Sequence, residues 1–554
     1  MTKDLNSLAK ELIKLQPKDL KELATAKRRL AKKFGLSLPT NSLLIAELKK
    51  IKSTPKELLA LLKRRLVRTM SGIAPVAVLT APFPCPGRCA YCPTDKNIPQ
   101  SYLSNEPAVM RAVHCNFNPY EQVIYRLRAL EANGHEPTKI ELIVIGGTWS
   151  VLPLNYQYWF VKECFRATND FSHRKRPPTN NPTEKTSLTK LKTALATEQH
   201  KNEKATYQII GLTLETRPDF INQAELWRMR QLGATRVEMG VQALDDKILK
   251  LNLRDSTVAD ITKASALLKN FGFKVTYHFM PALPGSTPQK DLQMFRSMFS
   301  SDQDSELIEI KGHSQDSLKK LIKTKLADNN FNPDQIKFYP TVVTKGSLLY
   351  KWWQQGKYQP YTDQQLKKLI IDCKKIIPPF VRIIRLIRDI PGESIMAGNK
   401  ITNLRQILKL DGVSCRCIRC REIGQETFSL KDVKLFIRKY RSSNGDEYFI
   451  SFENSQKTKL YGFARLRLPE TNGIFKQTAL LRELHVYGQL VSVGQSIDKT
   501  QHQGLGKRLL NQAEIITQLA GYCQLAVISG VGVRGYYKKL GYKLQKTYLV
   551  KKML

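Results

Sequence analysis

The chain has 554 residues, 42% of them hydrophobic and ten of them cysteine, with a formal net charge of +41. At roughly 100–250 residues per domain this length divides into two or three cores; without a bilayer-length apolar run or a secretory leader, a cytoplasmic protein with reduced cysteines is expected, not a membrane protein or a disulfide scaffold. So large a positive charge opposes compaction and points to a polyanionic partner, a nucleic acid ahead of a lysine bias without function.

Residues 1–74 read as a basic helical segment. "LNSLAKELIKLQ", "LKELATAKRRLAKKFGL" and "PKELLALLKRRLVRTM" place apolar residues at three- and four-residue spacing, punctuated by Pro17, Pro39 and Pro55. Two basic runs, Lys27–Lys33 and Lys63–Arg68, lie on these helices. Each alone suits a solvated face; both together suit a nucleic-acid surface.

From 75 to 400 short apolar strands alternate with helices. "PVAVLTA", "KIELIVIGGT", "QIIGLTLET", "TRVEMGVQ", "KVTYHFMPAL" and "DQIKFYPTVV" are the strand candidates, with helices such as "PYEQVIYRLRALEANG" and "NQAELWRMRQLG" between them. The alternation predicts a parallel α/β sheet whose ligands sit at the strand ends. "SHRKRPPTNNPTEKTS" reads as an exposed loop and "SDQDSELIEIKGHSQDSLKK" as an insertion without chemistry. Residues 401–424 form a cysteine-rich linker, and 425–554 read as a separate α+β domain opening on "VKLFIRKY", "EYFISFEN" and "LYGFARLRLP".

Two cysteine groups organise this frame. Cys85, Cys89 and Cys92 lie in "FPCPGRCAYCPTD", after the first strand. Three thiolates on one flexible loop suit three irons of a cluster, whereas a structural zinc wants a fourth ligand. With "GGT" at Gly146, Gly147 and Thr148 closing the second strand, the pattern resembles the radical S-adenosylmethionine (SAM) superfamily. That resemblance implies a partial TIM-type (β/α) barrel, a 4Fe–4S cluster on the three cysteines, and SAM on the open iron with its amino group at the strand-end glycines. Cys415, Cys417 and Cys420, interleaved with arginine in "CRCIRCRE", read as a zinc site lacking an assigned fourth ligand, with His278 and Cys373 as guesses and a metal-free thiol group as the alternative.

Near the C-terminus, Gln501, Gly504 and Gly506 give Q-x-x-G-x-G at a helix start, where free N–H groups can hold pyrophosphate. Together with "RELHVYGQL", "QLAVISG" and "VRGYYKKLGYK" this resembles the GNAT acetyltransferase fold. The resemblance implies acetyl-CoA at the glycine motif and Tyr536 or Tyr537 near the thioester; packing is the equal alternative for both tyrosines.

A radical SAM barrel followed by a GNAT domain resembles the family of the catalytic subunit of Elongator and its standalone bacterial and archaeal relatives. Collinear matches run almost the whole chain: "CPGRCAYCP", "PQSYLSNEPAVMRA", "IGGTW", "GLTLETRPD", "MPALPGSTPQKD", "KFYPTVVTKGSLLY", "VRIIRLIRDIP", "CRCIRCREIG", "LRELHVYG", "QHQGLG" and "ISGVGVRGYYKKLGY". This implies an enzyme acting on the wobble uridine of tRNA. A SAM-derived radical would take hydrogen from the acetyl methyl group, the carbon would add to C5, and thioester hydrolysis would leave a carboxymethyl group. Glu215 and Gln242 then fall to SAM, Glu483 and Lys507 to acetyl-CoA, and Lys345, Arg382, Arg385 and Arg388 to tRNA, any of the last four being as readily a salt-bridged structural residue. Other subunits of an Elongator-like assembly, or none, fit the sequence. A protein lysine acetyltransferase with a structural barrel is the alternative, and a non-catalytic tRNA scaffold the third; the intact cysteine triplet counts against both.

Overall fold

The computed structural model describes residues 2–63, 72–173, 187–301, 303–310, 315–424, 432–470, 473–487 and 504–553. It opens with four helices, Thr2–Leu15, Leu20–Lys33, Asn41–Leu48 and Lys56–Leu62. Their apolar stripes close on a small core of their own, including Leu8, Leu12, Leu23, Leu30, Leu44 and Leu62. Asp19 caps the second helix by accepting from the backbone N–H groups of Lys21 and Glu22. Within that helix's basic run Lys27 is buried and donates to Asn41 Oδ1 at 2.6 Å, while Arg28, Arg29, Lys32 and Lys33 are exposed. Of the second run only Lys63 lies among the described residues.

Strands are numbered in chain order. β1 (Ala74–Leu79), β2 (Lys139–Ile145), β3 (Gln208–Thr216), β4 (Arg236–Gln242) and β5 (Lys274–Phe279) pair in parallel in that order. After β6, the same sheet continues through β7 (Gln335–Phe338) to β9 (Arg382–Arg385). Spatial order follows chain order without reversal, so the sheet winds one way; β1 and β9 are its edges, which makes it an open barrel. The six strands expected from sequence are all present. β9 was not expected, because four residues flanked by arginine carry too little periodicity to read. A ribbon of β8 (Val343–Thr344) and β10 (Ile395–Ala397) lies beside them.

The second sheet runs β16 (Lys543–Gln545), β17 (Tyr548–Lys552), β15 (Gln524–Val527), β14 (Thr478–Val486), β13 (Leu460–Pro469), β12 (Gly445–Glu453), β11 (Lys434–Arg441) and β6 (Ser305–Ile310). β6 comes from the stretch read as an insertion inside the barrel half. It pairs antiparallel with β11, Leu435 opposite Ile310, so the barrel half lends the second sheet an edge strand and the two do not divide at one boundary. β14 and β15 pair in parallel only from Thr478 to Leu481; β14 then runs on to Val486 paired with β13 on its other edge. Helix Leu505–Leu519 packs on this sheet.

Barrel and second sheet are joined through buried charge. Asp334, just before β7, takes two hydrogen bonds from Arg482 of β14, at 3.1 and 2.5 Å. Glu447 of β12 accepts from Arg482 at 2.9 Å and from Arg467 of β13 at 3.0 Å. None of these side chains is exposed. Gly530 packs so closely on β3 that a Cβ there would stand 2.0 Å from the Ile210 carbonyl oxygen.

Candidate active site

A cavity of 1610 Å³ runs through the barrel interior. Strand residues two apart point the same way, so Arg236, Glu238, Gly240 and Gln242 of β4 line it as one row. At the C-terminal ends of the strands it is bounded by Cys85, Cys89, Cys92, Gly147, Thr148, Glu215 and Gln242; at the other end by Glu483, His485 and Tyr487 of β14.

The cysteine loop is fixed by backbone bonds from Ala90 N–H to Asn252 O at 3.0 Å and from Leu349 N–H to Ala90 O at 2.8 Å. Cys89 is buried, Cys85 and Cys92 half-buried, and all three are free thiols. Arg254 donates through Nη1 to Cys89 Sγ at 3.6 Å. A hydrogen bond from Cys92 and the Arg254 charge outweigh burial and pull the Cys89 thiol well below its usual value. That favours the thiolate, the form that ligates iron.

Gly146 and Gly147 have φ of +133° and +95°, backbone that glycine alone adopts at ease, and a Cβ at Gly146 would stand 2.1 Å from Thr80 Oγ1. Thr148 is buried beside them. Glu215 accepts from the Tyr102 hydroxyl at 3.1 Å and lies 3.5 Å from His278 Nδ1. Gln242 sits at φ +69° with its buried Oε1 unbonded by any group among the described residues. Positive-φ backbone, an orphaned amide oxygen and a thiolate-favouring cysteine at one mouth fit an amino-acid-bearing cofactor beside a cluster. Deeper in, burial opposes ionisation of Glu238, yet Lys337, His278 at 2.9 Å and Arg236 hold its carboxyl well below the usual range.

On β14, Glu483 is gripped by Lys274 Nζ at 3.2 Å and Arg465 Nε at 3.0 Å, which outweigh burial and pull it to about 2. Gly504, at φ +75°, opens the 15-residue helix Leu505–Leu519. A Cβ on Gly506 would stand 3.3 Å from the Tyr536 hydroxyl and 3.6 Å from Val486 Cγ2, so helix start, Tyr536 and the end of β14 converge. Tyr536 is half-buried; Tyr537 is buried between the Tyr536 and Tyr542 rings. Lys507 is exposed, and Gln501 lies outside the described residues.

The Sγ atoms of Cys415, Cys417 and Cys420 lie within 4.8 Å of one another. Among the described residues no other three His, Cys, Asp or Glu ligand atoms gather so tightly, and no fourth joins them. Neither guess for that ligand holds: His278 is spent between Glu215 and Glu238, and Cys373 is buried on helix Asp363–Ile376 outside the group. Hydrogen bonds from Cys415 and Cys420 hold the Cys417 thiol well below its usual value.

Of the four tRNA candidates only Lys345 is freely exposed. Arg382 bonds Glu422 at 2.8 Å and the Tyr487 hydroxyl at 3.0 Å. Arg385 pairs with Asp389 at 2.5 Å, and Arg388 with Glu106 at 3.3 Å over the Tyr102 ring. Sequence reasoning missed Arg254, Tyr102 and His485. The last was within reach, because His485 stands two residues after Glu483 and so shares its face.

Together, the open parallel barrel, three cysteines at its strand ends and the glycine-lined second strand define a radical SAM protein. The Radical SAM superfamily model matches residues 84–298 and the Radical_SAM C-terminal domain model 333–412. The chain is 42% identical over 502 residues to the tRNA uridine(34) acetyltransferase of Dehalococcoides mccartyi (strain CBDB1), covering 88% of this chain and 99% of that protein. It is 33% identical over 578 residues to Elongator complex protein 3 of Homo sapiens, covering 99% and 96%. The structure of archaeal Methanocaldococcus infernus Elp3 with an N-terminal deletion superposes with a TM-score of 0.69 at 35% identity, covering 87% of this chain and 99% of that one. The chain belongs to the family of tRNA uridine(34) acetyltransferases and Elongator complex protein 3. Membership in the radical SAM superfamily implies a 4Fe–4S cluster and SAM. No described helix is long and apolar enough to cross a membrane.

Proposed function

We propose that this chain modifies C5 of the wobble uridine of tRNA, using acetyl-CoA as the source of a carboxymethyl group. The observation that carries this reading is the single cavity reaching from the three cysteines to β14 of the second sheet. A substrate in it meets both ends without leaving the protein.

Cys85, Cys89 and Cys92 would hold the cluster; Gly146, Gly147, Thr148, Glu215 and Gln242 would hold SAM. When bound, cluster and SAM supply a carbon radical able to take hydrogen from the acetyl methyl group. Acetyl-CoA would place its pyrophosphate at the helix start after Gly504, where unpaired N–H groups meet phosphate, and Lys507 adds charge. Its pantothenate amides match the edge of β14 that β15 leaves open beyond Leu481. The acyl end would then pass the end of β14 and reach the cavity near His485. Cys415, Cys417 and Cys420 would hold a zinc that fixes the linker against β9.

For tRNA, the exposed Arg28, Arg29, Lys32 and Lys33, with Lys345, offer positive charge to the phosphates. The arginines of β9 and its following loop shape the cavity wall through their carboxylate partners.

The test is acetyl-CoA hydrolysis by the purified protein under anaerobic conditions, with and without bulk tRNA, repeated with Cys89→Ala. Hydrolysis should rise strongly with tRNA. Cys89→Ala should retain it while forming no modified uridine. Hydrolysis indifferent to tRNA, with acetylation of lysine peptides, would return the chain to protein acetylation.

A further inference from the structure

We infer that His485 is the catalytic base that activates water for cleavage of the acyl thioester. This rests on the reading of β14 as the wall of an acyl site.

Three observations lead to it. First, His485 lines the shared cavity, two residues along β14 from Glu483, on the stretch that has left β15. Its chain neighbour Val486 lies against Gly506, at the start of the glycine-led helix. Second, its Nε2 is buried and bonded by no group among the described residues. The ring is held in place by Tyr487, with centroids 4.4 Å apart, and by a stacked Phe463 at 6.1 Å and 13°. An imidazole held rigidly in a cavity wall, with a buried ring nitrogen that no described group bonds, suits a general base. Third, the other groups at hand are spent. Glu483 is locked by Lys274 and Arg465 and is too weak a base at about 2. The Tyr487 hydroxyl bonds Arg382. Burial pushes the Tyr536 phenol upward, so it stays protonated.

The charges facing the ring come from every neighbouring strand: Glu483 on β14, Arg465 on β13, Arg382 on β9, Lys274 on β5 and Glu141 on β2. Burial, with Arg382 and Lys274, outweighs the two glutamates and pushes the imidazole down to about 4. It is therefore neutral across the neutral range, with its acceptor lone pair free of a proton, though as a weaker base than a free imidazole.

The step balances without an oxidant. Water adds to the thioester carbonyl carbon as the His485 imidazole takes one of its protons. The C–S bond then breaks, and the sulfur leaves as thiolate. His485 returns the proton to that sulfur, giving CoA thiol and a carboxylic acid that ionises to solvent.

The experiment measures tRNA-stimulated acetyl-CoA hydrolysis by the full-chain holoenzyme against pH, for wild type, His485→Gln and His485→Ala. Thermal melting and acetyl-CoA binding serve as folding controls. His485→Gln should lower kcat by about 100-fold or more, the usual contribution of a general base, with KM nearly unchanged. The acid limb of the wild-type profile should disappear with it. Imidazole added to His485→Ala should restore part of the rate. A His485→Gln protein that keeps wild-type kcat and pH profile overturns the assignment while leaving the acyl site standing. So does a folded variant whose loss lies wholly in KM with no imidazole rescue. Absence of hydrolysis in the wild type overturns the acyl-site reading and this inference together.

Discussion

Gly146 shows how much one missing methyl group decides. Its φ of +133° and the Thr80 hydroxyl leave no room for a side chain, so Gly146→Ala should distort the strand end. SAM binding, followed by equilibrium dialysis, should fall at least tenfold while iron content stays at the wild-type level. Cys417→Ser tests the second cysteine group. The proposed zinc predicts that metal stoichiometry after extensive dialysis drops by one zinc while cluster iron stays unchanged. Residues of this kind were legible in the sequence because their spacing is itself the signal. Two cysteine triplets and a strand ending in paired glycine allow few other uses. His485 and Arg254 were not, because a lone histidine in a strand or a lone arginine after a helix has a hundred ordinary uses. Only the cavity separates them from those. The two tyrosines mark the boundary: the sequence offers Tyr536 and Tyr537 equally, and adjacent helix positions point about 100° apart, so one faces Gly506 and the other the core.

Among the elements, helix Leu20–Lys33 carries both packing and charge. Leu23, Lys27 and Leu30 face the small N-terminal core while Arg28, Arg29, Lys32 and Lys33 face solvent. Replacing Arg28 and Arg29 together by alanine should weaken tRNA binding across all sequences. The slope of log affinity against log salt should flatten by roughly two, one for each phosphate no longer neutralised. Equal slopes would remove this helix from the interface. The repeating strand–helix pattern of the barrel was readable because buried parallel strands form apolar runs between amphipathic helices. β6 was not. "SELIEI" is a fair strand by composition, but its partner β11 lies over a hundred residues away, and pairing at that distance leaves no local trace. It covers the edge of β11, so it protects the second sheet instead of decorating the first.

At the scale of the molecule, the buried group around Asp334, Arg482, Glu447 and Arg467 holds the two sheets in the relation that makes one cavity. Asp334→Asn should cost about 3–5 kcal/mol in denaturant unfolding, because it strands Arg482 without a full partner. Arg482, Arg465 and Lys269 hold the Asp334 carboxyl well below the usual range despite burial. A carboxylate depressed in the folded state contributes stability above its unfolded value, near pH 4, and loses it as pH falls towards the folded one. Wild type should therefore lose stability on acidification below about pH 4 more steeply than Asp334→Asn. No sequence pattern announces such a joint; its members come from four separate strands and loops. The family resemblance named both halves, but only their packing gives them a common interior.

The coupling of those halves is the central claim, and one measurement tests it most directly. The reconstituted enzyme is given SAM, tRNA and acetyl-CoA deuterated at its methyl group, and the 5′-deoxyadenosine formed is analysed by mass spectrometry. Deuterium transferred into 5′-deoxyadenosine, with the remaining label in a carboxymethyl group on the wobble uridine, is the predicted result. Unlabelled 5′-deoxyadenosine beside acetylated protein would contradict it, for the radical and the acyl group would then never have met.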